Sequence, residues 1–83
     1  MSPEESAKDI LVIFERNSTG PGAALTTEAV KLAFFSQDGR VRTQAEFDEG
    51  LRYAIRQEWL QSYPLWVPPV IRLTEVGYAR SRT

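Results

Sequence analysis

The sequence predicts a mainly α-helical domain with a small β-hairpin near its C-terminus. Three observations carry this. Apolar residues recur at helical spacing in three separate stretches, each stretch opens on a Ser or Thr that can cap a helix, and two β-prone runs flank a segment holding three prolines. With 83 residues, 42% of them hydrophobic and 25% charged, the chain reads as one domain over 1–83, too apolar to stay disordered.

The first helix opens at Ser2-Pro3-Glu4-Glu5. Ser2 is the N-cap, Pro3 stands at the first helical position, where a missing N–H costs nothing, and Glu5 closes a capping box. Ala7, Ile10, Leu11 and Phe14 then fall on one face. Val12 points away from it, so it is either covered by another element or open to a partner. The breaker cluster Asn17 to Gly22 ends this helix. Thr26 caps a short second helix that ends near Ser36, with Ala29, Val30, Ala33 and Phe34 as its buried face and Leu25 stapled on Val30. Gln37 to Arg40 reads as a turn. Thr43-Gln44-Ala45-Glu46 is a second capping box and opens the longest helix, whose stripe is Phe47, Leu51, Ala54 and Ile55 and whose end lies close to Trp59. Trp59 to Tyr63 and Val70 to Leu73 are the two arms of the hairpin, with Pro64 to Pro69 as a stiff tip. Thr74 caps a last short turn of helix.

Composition removes much chemistry. The chain has neither cysteine nor histidine, hence no thiolate or imidazole for a metal, a nucleophile or a general base near neutral pH. Glu46, Asp48, Glu49 and Glu58 have no nucleophile or cofactor loop in the sequence to work with, and Gly20-Pro21-Gly22 lacks the Lys-Ser/Thr ending of a phosphate-cradling loop. No enzyme activity, cofactor or metal is expected. The start is acidic where a secretory leader is basic, and the longest apolar run is Ile10 to Phe14, so a cytoplasmic protein without a membrane partner is expected. The net charge of −1 divides unevenly: residues 1–39 carry three bases against six acids, whereas residues 40–83 carry seven arginines against five acids. A basic second half permits contact with nucleic acid without requiring it.

The order helix, helix, helix, hairpin resembles the winged-helix superfamily. Leu51, Ala54, Ile55, Trp59 and Leu60 look like the ending of its third helix, and Leu73-Thr74-Glu75-Val76-Gly77 is similar to the Leu-Thr-x-x-Gly segment that closes the wing in bacterial winged-helix regulators. The resemblance implies a DNA-binding regulator or accessory factor, dimeric where its site is palindromic. Two features depart from that pattern. Ser36 to Arg42 is longer than the usual turn, and Glu46, Asp48 and Glu49 put carboxylates at the helix start that would face phosphates.

Two sets of candidate contacts follow. Arg40, Arg42, Thr43, Gln44, Arg52, Arg56 and Arg72, with Arg80 and Arg82 behind them, form a candidate stripe for double-stranded DNA. The alternative for that stripe is a solvated face, with Asp48 and Arg52 paired at i, i+4. Val12, Tyr63, Trp66 and Val67 form a candidate surface for a protein, a second copy included. The alternative is that Trp66 folds back over the small core. Trp59 is expected in the core.

Overall fold

The computed structural model describes residues 2–17, 22–36 and 43–81. The first helix, α1 (Pro3–Asn17), starts where its cap predicts: the Ser2 hydroxyl accepts the Glu5 amide at 3.2 Å and the Ser2 carbonyl accepts the Ser6 amide at 3.1 Å. Ala7, Ile10, Leu11 and Phe14 are buried as the spacing predicts, and Ser6 and Ile13 widen that face.

A short strand, β1 (Ala24–Thr26), precedes α2 (Thr27–Phe35). Thr26 ends the one and caps the other. Its backbone is extended, and its hydroxyl accepts the Ala29 amide at 3.2 Å. Val30 and Phe34 are buried and Ala33 is partly so, but Ala29, expected inside, is exposed. At 100° per residue Ala29 lies at the margin of the narrow Val30–Phe34 stripe, where a small methyl gains little by turning inward. Leu25 faces Ile71 across the strand pair and packs on the core.

The longest helix, α3 (Gln44–Arg56), has the predicted capping box in full: Thr43 Oγ1 accepts the Glu46 amide at 3.1 Å, and a Glu46 carboxylate oxygen accepts the Thr43 amide at 2.9 Å. Phe47 and Ala54 are buried and Leu51 is half-buried, but Ile55, expected in the stripe, is 38% exposed. Gly50 is the reason. It is buried against α1, and a Cβ there would stand 2.5 Å from the Ser6 Cβ, so the two helices meet almost backbone to backbone. This rotates the buried arc of α3 toward Gly50 and away from Ile55.

The helix also ends earlier than expected, at Arg56, with Gln57 as C-cap. Glu58 has φ 65°, its amide donates to the Ile55 carbonyl at 3.0 Å, and the Trp59 amide reaches the Ala54 carbonyl at 2.9 Å. That pair of bonds is a Schellman ending, and the edge-to-face contact of Trp59 with Tyr53, ring centres 5.6 Å apart, is its apolar clasp.

The expected hairpin is present as β2 (Leu60–Tyr63) and β3 (Val70–Leu73), antiparallel, with Leu60 opposite Leu73 and Tyr63 opposite Val70. β1 pairs with the other edge of β3, Ala24 opposite Arg72 and Thr26 opposite Val70, giving a three-stranded sheet in the order β1-β3-β2. Thr74 accepts the Gly77 amide at 3.0 Å and opens α4 (Glu75–Ser81). The described residues thus form four helices and a small antiparallel sheet, the third strand being an addition to the expected outline. Phe14, Phe34, Phe47, Leu60, Ile71 and Leu73 meet at the centre of the core, with the Phe34 and Phe47 rings edge to face at 5.5 Å. Trp59 is buried, as expected. No helix among the described residues is long and apolar enough to cross a membrane.

Candidate functional site

α3 packs one side on α1 and meets α2 through the ring of Phe47 against Phe34 and Phe35, which leaves Gln44, Ala45, Asp48, Glu49, Arg52 and Arg56 exposed. Arg52 and Arg56 are one helical turn apart and line a shallow cleft of about 200 Å³ with Pro3, Glu49 and Tyr53. Neither arginine is in an ion pair among the described residues. The expected Asp48–Arg52 pair is replaced by another contact: the Asp48 carboxylate accepts the Gln44 side-chain amide at 2.9 Å. Gln44 is thus held along the helix surface. Thr43 is the N-cap, and its hydroxyl also lies 3.2 Å from a Glu46 carboxylate oxygen. The acids at this end therefore have local work. Glu46 closes the cap, Asp48 holds Gln44, and both lie near the positive end of the helix dipole.

The remaining members of the basic set are scattered. Arg72 is exposed on β3, where it lines a different cleft with Gly22, Gln61, Thr74 and Glu75, and its guanidinium lies against the backbone of Gly22. Arg80 is 5.5 Å above the Trp59 ring, a cation–π contact that helps to seat α4. Arg40, Arg42 and Arg82 lie outside the described residues. The structure therefore brings Arg52 and Arg56 together and sets Arg72 apart from them.

The apolar set divides as well. Val12 is half-buried beside a cleft of about 230 Å³ between α1 and the end of α4, so one side of it is covered by the fold. The hairpin tip is built by a turn in which the Trp66 amide donates to the Tyr63 carbonyl at 3.3 Å, with Pro64 preset for the second turn position. The Trp66 ring does not cover the core. It leans on Tyr63, ring centres 4.7 Å apart and planes at 34°, and stays 58% exposed. Tyr63 donates its hydroxyl to the Gln61 side chain at 2.9 Å. Leu65 and Val67 are 93% and 98% exposed.

Sequence reasoning missed what stands beside this tip. Leu32 on α2 is 60% exposed, and with Phe35, Pro68 and Pro69 it lines a mainly apolar groove of about 760 Å³. The Thr27 amide, one of the free donors at the start of α2, is bonded to the Pro69 carbonyl at 2.9 Å and ties the two walls together. One signal was available: Leu32 is 200° from Val30 at helical spacing, a large apolar residue off the buried stripe. Comparison with protein-family models, with curated proteins and with solved structures returned no match to this chain.

Proposed function

We propose that this chain is a winged-helix DNA-binding domain, a small regulator or accessory factor, that meets the duplex with the open face of α3. The observation that carries this reading is the pair Arg52 and Arg56, one turn apart on that face and in no ion pair among the described residues. The passage from α3 into the hairpin supports it. With β1 paired to β3, the hairpin grows directly from the end of α3, so helix and wing can address one ligand. Gln44 is the base-reading candidate after exchanging its Asp48 contact for a base edge, and Arg72 supplies a more distant phosphate contact. The test is a fluorescence-anisotropy titration of a labelled random duplex of about 20 base pairs at low salt. Binding is expected, and Arg52→Ala with Arg56→Ala should lower the slope of log K against log salt by about 2, one per lost phosphate contact. No change in anisotropy at tens of micromolar protein sinks the reading, because even non-specific binders reach about 10⁻⁴ to 10⁻⁶ M.

A second reading, a protein-interaction module, is favoured by the wing itself. Residues 57–71 contain no lysine or arginine, and the tip offers Leu65, Trp66 and Val67 where a phosphate-binding wing needs cations.

A further inference from the structure

The geometry points to a self-complementary surface: the wing tip of one copy of this chain seats in the groove between α2 and the wing of a second copy. This deepens the protein-interaction reading and is independent of the DNA reading. The projecting part is Leu65, Trp66 and Val67. Its shape is set in advance by the Tyr63–Trp66 ring contact and the turn beneath it, so little side-chain freedom is lost on docking. The receiving part is the groove of about 760 Å³, with Leu32 on its rim and Phe35, itself packed on the core, deeper in. The bond from Thr27 to Pro69 holds its walls at a fixed separation.

Three features favour a second copy over another partner. Projection and groove adjoin one another, since Pro68 follows Val67 and lines the groove, so a two-fold axis beside them inserts each tip into the opposite groove. The groove rim carries one acid and one base, Glu28 and Lys31, which do not pair with each other within the chain. An electrically balanced rim suits an identical rim turned through 180°, whereas a charged partner would call for one sign. The exposed side chains of Leu32, Leu65, Trp66 and Val67 amount to on the order of 500 Å² of apolar surface, at the top of what a monomer's largest patch reaches. Counted from both copies, this is about 1,000 Å² before the groove walls are added, the lower bound for a specific interface. An area at that lower bound suits a weak, concentration-dependent association.

Sedimentation velocity of the full chain without DNA, from about 5 µM to about 1 mM, tests this over the range where such constants resolve. A monomer–dimer equilibrium is expected, weakened at least tenfold by Leu32→Glu and by Val67→Glu separately and unchanged by Ala79→Glu, an exposed control on α4. Both altered positions face water in the single chain, so helical circular dichroism should stay the same. A chain that is monomeric up to 1 mM overturns the inference, as does a dimer indifferent to both substitutions. Either failure leaves the duplex titration untouched.

Discussion

Single residues set the two tightest points of the fold. At Gly50 a methyl group would meet the Ser6 Cβ at 2.5 Å and the Ser6 carbonyl carbon at 2.9 Å, so α1 itself must move. Gly50→Ala is therefore expected to destabilise by about 1–3 kcal/mol in urea unfolding, although alanine gains about 1 kcal/mol in helix propensity. An equal or higher midpoint would mean that the helices are not in backbone contact. Glu58 is the opposite case. It occupies a left-handed conformation that costs a side-chain-bearing residue about 1 kcal/mol, it is exposed, and its role in the helix ending needs only its backbone. Glu58→Gly should raise stability by about 0.5–1 kcal/mol by the same measurement, and a loss would show that the glutamate side chain has a role of its own. Caps at this scale were legible, because a Ser or Thr hydroxyl acts on amides two or three residues away. Glu58 was not: the sequence marks it only as a poor core residue, and nothing local announces a left-handed glutamate.

Among the elements, Thr74 does the most joining. Its amide donates to the Trp59 carbonyl at 3.1 Å, its hydroxyl lies against the Glu58 and Trp59 carbonyls, and that same oxygen accepts the Gly77 amide. One side chain thus links the end of α3, the end of β3 and the start of α4. Thr74→Val, which keeps the shape and removes the hydroxyl, is expected to cost about 1–2 kcal/mol in thermal unfolding. A change within about 0.5 kcal/mol would show that water replaces those bonds. The sequence disclosed Thr74 as a cap but not as a joint, because both carbonyls come from 15 and 16 residues earlier. β1 escaped for the same reason. Three residues are too few for an alternation to be seen, and their partners, Val70 to Arg72, are remote in sequence. Leu25 could then be read only against its neighbour Val30, whereas the sheet sets it opposite Ile71. The boundary of the apolar face on α3 was misplaced toward Ile55, since a buried glycine adds nothing to a hydrophobic pattern yet decides which side of a helix is closest to its neighbour.

On the scale of the whole molecule, basic and apolar surfaces occupy different regions. Arg52 and Arg56 border the start of α1, and the apolar groove lies between α2 and the hairpin, so the substitutions that probe one should spare the other. Leu32→Glu is expected to leave duplex affinity within a factor of about 2 once the protein is monomeric, and the arginine variants should leave self-association unchanged. A loss of both activities from Leu32→Glu would mean that DNA is bound only by the dimer, as a palindromic site demands. The arginine pair could be read from spacing alone; the groove could not, because it exists only where Leu32 and Phe35 meet Pro68 and Pro69 more than 30 residues later. The two tryptophans stand in opposite surroundings, Trp59 at 8% exposure beneath Arg80 and Trp66 at the open tip. The chain thus carries two intrinsic optical reporters. Acrylamide should quench Trp66 and largely spare Trp59, and Trp66→Phe should leave a blue-shifted emission that changes only on unfolding. Trp59→Phe, conversely, leaves an indole that is silent to the state of the core and responds to whatever covers the hairpin tip.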